Sequence, residues 1–241
     1  MSRLRVRNAT ITPESAGWTY VGFAVQPLAG RLEGVEDGRE ACIVLLSGSC
    51  SFMGLGDAAR ATVFDGPPTA LYVPPGTPWW VEGDGEIAVC TAPARGDLEV
   101  RLLDAPELVT RGSGTEERYI ANILMESEPA ESLLVTEVIT PRAHWSSYPP
   151  HKHATDDPPR ETYLEETYYH RLRPADGFAF QRVYTDDRSL DEAVAVRDGD
   201  VVLVPRGYHP VAADPRVDLY YLNVMAGPVR EWRVSVAPGY Q

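Results

Sequence analysis

At 241 residues the chain can bury a sizeable core, as one large domain or two modest ones. A formal net charge of -13 repels nucleic acid and anionic membranes, so neither is an expected partner. No apolar run reaches the length of a membrane span, and Met1-Ser2-Arg3-Leu4-Arg5-Val6-Arg7 has no apolar h-region behind it, so no secretory signal is expected.

Short apolar runs bounded by Gly, Pro and Asp recur from end to end, and long helical periodicity is nearly absent. Strands are predicted over 41–46, 69–73, 86–91, 133–140, 166–171, 178–184, 201–204 and 219–224, with 21 prolines and 20 glycines to supply the turns. This pattern predicts an all-β fold, a sandwich or barrel. Cys42, Cys50 and Cys90 make an odd count and sit among residues such as Ile43-Val44-Leu45-Leu46, which points to buried free thiols in a reducing cytoplasm.

The chain also repeats itself. Phe64-Asp65-Gly66 leads through Ala70-Leu71-Tyr72-Val73 to Pro74-Pro75-Gly76-Thr77-Pro78, and Arg197-Asp198-Gly199-Asp200 leads through Val201-Val202-Leu203-Val204 to Pro205-Arg206-Gly207-Tyr208-His209. Aligning the corners sets Pro78 opposite His209, and the first copy has no histidine at all. Two tandem barrels are therefore expected, residues 1–115 without metal ligands and 116–241 with them, joined through the segment 111–117. Trp79 and Trp80 are expected as core or interface aromatics of the first barrel.

All five histidines fall in the second half, and three of them make a metal-site pattern with Glu166: His151 and His153 at i and i+2, then His209 in the Pro-x-Gly corner. Three nitrogens and one oxygen suit zinc, manganese or iron, and an incompletely filled shell leaves room for substrate oxygens. Glu165 and Glu166 are adjacent, so on a strand they face opposite sides, while Glu166, Tyr168 and His170 share one. That makes His170 a rival ligand or an orienting partner. His144 has no partner spacing and reads as a structural or surface residue. The single lysine of the chain, Lys152, stands between the paired histidines.

Pro149-Pro150-His151-Lys152-His153, then Pro159-Arg160-Glu161-Thr162-Tyr163-Leu164-Glu165-Glu166-Thr167-Tyr168-Tyr169-His170-Arg171, carry a resemblance. Phe178-Ala179-Phe180-Gln181-Arg182-Val183-Tyr184, Gly207-Tyr208-His209-Pro210 and Tyr220-Tyr221-Leu222-Asn223-Val224-Met225-Ala226-Gly227 extend it. The set resembles the bicupin family of 5-deoxy-glucuronate isomerases of bacterial inositol catabolism, within the cupin superfamily. The resemblance implies a bicupin fold and an aldose–ketose isomerase converting 5-deoxy-D-glucuronate to 5-dehydro-2-deoxy-D-gluconate. It also implies kinship with the 4-deoxy-threo-hexosulose-uronate ketol-isomerases of pectin breakdown, and a divalent metal, zinc first, on His151, His153, Glu166 and His209. An insertion containing Asp156, Asp157, Pro158 and Pro159 leaves the ligand carboxylate open among Glu161, Glu165 and Glu166.

Such an isomerase moves one hydrogen between adjacent carbons and exchanges protons on two oxygens, by proton transfer through an enediolate or by hydride shift. Glu165 and Glu161 are candidate bases, with Tyr168, Tyr220 and Tyr221 as proton donors to oxygen. The remote carboxylate of a sugar acid calls for a guanidinium or ammonium, with Arg182, Arg171 and Lys152 as candidates and Arg160 as a further choice. A metal-dependent cupin oxygenase is the rival reading. A regulatory cupin ranks below both, since no helix-turn-helix or basic patch is visible. A homo-oligomer is a reasonable expectation for duplicated barrels.

Overall fold

A computed structural model of the chain describes residues 4–7, 10–96, 98–103 and 108–240. Among the described residues only a short helix, Pro13–Ala16, and a 3-10 turn, Gly114–Glu116, interrupt a chain of strands. All eight predicted strands lie on observed ones, with ends shifted by a residue in places. The chain forms two compact units, one from Thr10–Leu108 with Ala121–Thr136 and the other from Met1–Ala9, Val109–Ile120 and Glu137–Gln241. Each unit thus draws on both sides of residue 115, a more interleaved arrangement than a single cut there.

The Thr10–Leu108 unit is built on three long strands. Gly22–Gly34 pairs with Trp79–Pro93 from Gly22↔Thr91 to Gly34↔Trp79. Arg39–Phe52 pairs with the other edge of Trp79–Pro93, with an irregularity between Leu45 and Ser47. These strands bend where glycine permits close backbone approach. Gly48 has φ 94, and a Cβ on Gly85 would lie 1.9 Å from the Ser47 carbonyl oxygen. Ala41, Ile43, Leu45, Phe52, Leu71, Val73, Ile87 and Val89 fill the interior together with Trp79, as the sequence leads one to expect for that tryptophan. Trp80 lies half-buried with the Arg31 guanidinium 4.4 Å above its ring. On the other face, the buried Glu40 carboxylate accepts from Tyr72 Oη at 2.7 Å and from the backbone N–H groups of Glu131, Ser132 and Leu133. Four donors compensate a charge that would otherwise be costly to bury. The three cysteines are buried free thiols, and burial pushes that of Cys50 up to about 11.

The second unit packs two sheets face to face. In the first, Arg5–Val6, Val201–Val204, Glu165–Arg173 and Asp218–Ala226 are neighbours in that order, followed by Leu134–Thr140. The second sheet runs Trp145–Ser146, Val211–Ala213, Ala179–Tyr184, Asp191–Val196. Between them lie Leu172, Val202, Val204 and Leu219 from one sheet and Ala179, Val183, Val194, Val196 and Val211 from the other. Each large aliphatic buried here contributes about 1.5–3 kcal/mol. The register Glu166↔Met225, Tyr168↔Asn223, His170↔Tyr221 sets Glu166, Tyr168, His170, Tyr221 and Asn223 on the same, inner face. At the sheet's edge Arg5–Val6 pairs with Val201 and Val202, and Arg7 Nε donates to the buried Asp200 at 3.0 Å.

Candidate metal centre

The inner face of the second unit collects ionisable groups in a buried place. Glu166 is carried there by the central strand Glu165–Arg173, His153 follows the short His151–Lys152 strand, and His209 ends the Pro-x-Gly corner. Gly207 holds that corner at φ 93, where a Cβ would meet the Tyr184 carbonyl oxygen at 2.4 Å. One possible ligand atom from each of His153, Glu166 and His209 lies within 4.8 Å of the other two.

The backbone decides which nitrogen each imidazole presents. Nδ1 of His153 lies 3.0 Å from the Leu164 carbonyl, Nδ1 of His151 3.0 Å from that of Pro149, and Nδ1 of His209 2.9 Å from that of Gly207. A carbonyl only accepts, so each Nδ1 carries a proton and each Nε2 is turned to the site. His153 Nε2 sits 2.9 Å from Glu166 Oε2, and His209 Nε2 3.3 Å from the same oxygen. The second carboxylate oxygen accepts from Asn223 Nδ2 at 2.6 Å.

These groups fit a divalent cation. His209 Nε2 is buried without a hydrogen-bond partner, a costly state that a metal bond would remove. Burial favours a neutral Glu166, but the imidazoles of His209 and His153 outweigh it and draw the carboxyl down to about 2. Burial likewise disfavours a charged His153, yet Glu166 prevails and raises it. For His209 burial wins, helped by His153, and lowers it. His151 is held down at about 3, first by burial and then by His209. Its ring packs 4.9 Å from that of His209, edge to face, and 5.8 Å from that of Trp232. His151 thus stands beside the cluster, while the convergent ligand atoms come from the other three.

The model of the KduI/IolB family matches residues 3–241. The chain belongs to this family. It is 51% identical over 246 residues to the 5-deoxy-glucuronate isomerase of Geobacillus kaustophilus, covering 95% of this chain and 88% of that one. It is 42% identical to that of Bacillus subtilis strain 168, covering 96% and 90%. An IolB-like protein of Salmonella typhimurium, known from its crystal structure, superposes with a TM-score of 0.93 at 44% identity over 99% and 98% of the two chains. Oxalate decarboxylase of Lactobacillus farciminis shares the fold at 12% identity, with a TM-score of 0.65 over 98% and 89%. The fold is all-β and cupin-type.

In this member of the KduI/IolB family the other predicted site residues scatter. Tyr168 lies on the cluster's side, its ring 5.7 Å from that of His209. Tyr220 points to the opposite face and donates to Glu137 at 3.0 Å, so its neighbour Tyr221 is the inner tyrosine. Glu165 alternates away from Glu166. Glu161 is buried, but it fastens the loop after His153 by accepting from the N–H groups of Ala154 and Thr155 and from Lys152 Nζ. Lys152 is held by Glu161 and by Asp186 at 3.5 Å. Arg182 faces outward in a two-pronged pair with Asp191, and Arg171 engages Asp198 at 3.0 Å. Arg160 is an exposed partner of Asp157. The four cations considered for the substrate carboxylate thus all have acidic partners, and none joins the cluster.

Sequence reasoning passed over Asn223 and Gln181. Gln181 Oε1 lies 3.1 Å from His170 Nε2, and Gln181 Nε2 donates to the His209 carbonyl at 3.4 Å. Period-2 counting held the signal, since Gln181 sits between the inward Ala179 and Val183. His170, fully buried and lowered to about 4 chiefly by burial, is an inner-face neighbour with Nδ1 unpartnered.

Proposed function

We propose that the chain is an isomerase that converts 5-deoxy-D-glucuronate to 5-dehydro-2-deoxy-D-gluconate, with a divalent metal on His153, Glu166 and His209 and with His151 as a fourth ligand. The observation that carries the reaction is the 51% identity, over 95% of this chain, to a 5-deoxy-glucuronate isomerase. Imidazole nitrogens with one carboxylate oxygen suit zinc, and manganese or iron fit the same donors.

A divalent cation there supplies positive charge for the oxygen that turns negative during isomerisation. The chain's own residues supply the frame. Backbone carbonyls fix the imidazoles, Asn223 fixes Glu166, and the apolar layer below excludes water. Tyr168 brings a hydroxyl to the same inner face as Glu166. The buried thiols Cys42, Cys50 and Cys90 agree with a reducing compartment such as the cytoplasm. A homo-oligomer belongs to the same reading, and light scattering checks it.

The test is a proton NMR time course of metal-reconstituted protein with 5-deoxy-D-glucuronate, in water and in deuterium oxide. Appearance of the ketose is expected, and deuterium at the new methylene would identify an enediol route. No conversion with metal bound would overturn the assignment and turn attention to 4-deoxy-threo-hexosulose uronate, then to oxygenase chemistry.

A further inference from the structure

Beside the His153–Glu166–His209 cluster runs a line of hydroxyl groups that joins Tyr168 and Tyr221, two of the tyrosines considered above as proton donors, through Ser147. Ser147 is buried, and its φ of 47 lies in the left-handed region that residues bearing a Cβ adopt only under strain. In that conformation its Oγ lies 2.9 Å from Tyr168 Oη and 3.4 Å from Tyr221 Oη. The two phenol rings are 4.8 Å apart and tilted by 54°. At one end Tyr168 shares the inner face with Glu166, and its ring lies 5.7 Å from that of His209. Next to Ser147 in the chain, the buried Ser146 Oγ accepts from Thr140 at 2.7 Å. A strained serine between two buried tyrosines, one of them packed beside the proposed ligand His209, is an arrangement that packing alone does not require.

The reaction needs such a device. In an aldose–ketose conversion a C–H bond breaks at the hydroxyl-bearing carbon and one forms at the carbonyl carbon. The first carbon loses the two electrons that the second gains, so no outside oxidant or reductant enters. An O–H bond must also break on one oxygen and form on its neighbour. A hydroxyl both donates and accepts, so a row of them can take a proton in at one end and release another at the far end.

We propose that Tyr168, Ser147 and Tyr221 form a relay that carries the O–H proton between the two reacting oxygens of the sugar acid. This rests on the isomerase reading above. One tyrosine accepts the proton from the hydroxyl that becomes a carbonyl and passes its own to Ser147. Ser147 passes its proton to the other tyrosine, which donates to the carbonyl that becomes a hydroxyl. The three residues end with their protons replaced, and the carbon-bound hydrogen travels separately. The tyrosines are the catalytic residues of this step, and Ser147, which acts through them, is a positioning residue.

The decisive variant is Ser147→Gly, because glycine accepts a positive φ without strain and removes the hydroxyl together with the one carbon that carries it. With 5-deoxy-D-glucuronate and metal-loaded protein, its kcat is expected to fall about 10–100-fold and that of Tyr168→Phe about 100-fold or more. KM, bound metal per chain and Tm are expected to hold for Ser147→Gly. The solvent deuterium isotope effect on kcat should grow in that variant, since oxygen-to-oxygen transfer becomes the slow step. Full kcat in Ser147→Gly, a loss that follows bound metal, a rise in KM alone, or an unchanged isotope effect would each overturn the relay while leaving the isomerase reading intact. No turnover by the unaltered protein would remove the isomerase reading and the relay with it.

Discussion

The two units carry the same Val-Pro-x-Gly corner, and the second sets a row of polar side chains into an apolar interior where the first continues apolar. In the Thr10–Leu108 unit the inward row of Arg39–Phe52 is Ala41, Ile43 and Leu45, and Trp79 occupies the core just after the corner. In the second unit the inward row of the central strand is Glu166, Tyr168 and His170, and the corner ends in His209. The difference teaches what a polar interior demands. Apolar residues need only fit, whereas each buried nitrogen and oxygen needs a partner. The second unit meets that demand with three backbone carbonyls, Asn223, Gln181 and, on our reading, a cation.

The comparison breaks most sharply at His209. His209→Ala is expected to lose bound metal together with at least about 1,000-fold in activity, with the far-ultraviolet circular dichroism retained. Elemental analysis beside the assay checks this, and full turnover after exhaustive chelation would sink a metal-dependent mechanism. In the apolar unit the sensitive places are backbone crossings. Gly85→Ala drives a methyl into the Ser47 carbonyl and should cost about 2–4 kcal/mol, read as a lowered urea midpoint. Gln181→Leu keeps the volume but frees the His170 ring and one contact to the His209 backbone. An effect of about 10-fold on activity or metal affinity is expected. Arg182→Ala should change kcat/KM by less than about 2-fold and stability by under about 1 kcal/mol, because its pair with Asp191 stands at the surface. A large loss of turnover there would restore Arg182 as a substrate contact.

Much of this could be read from residue order, and the exceptions have physical causes. Compact runs such as Val201–Val204 announce themselves as strands. Gly22–Gly34 does not, because Pro27, Gly30 and Gly34 interrupt its pattern and its 13 residues become a strand through pairing with Trp79–Pro93. His153 and His209 could be picked out from type and spacing, whereas the carboxylate stayed open among Glu161, Glu165 and Glu166 until the fold brought Glu166 beside them. The choice between Tyr220 and Tyr221 was not, since it depends on the register that sets His170 opposite Tyr221. Glu161 looked like a spare carboxylate, and only the folded loop after His153 reveals the donors that occupy it. The positive φ of Ser147 leaves no mark in composition or periodicity.

The edge strand Arg5–Val6 has a consequence in time. Its partners Val201 and Val202, and the Asp200 that receives Arg7, come nearly 200 residues later, at a sequence separation of 193 for the Arg7 contact. During synthesis these opening residues emerge long before anything exists for them to pair with. The Thr10–Leu108 strands can pair among themselves meanwhile, but the polar barrel closes only when its last strands arrive and the first residues come back to them. The order of synthesis therefore leaves the unit with the chemistry to be finished last.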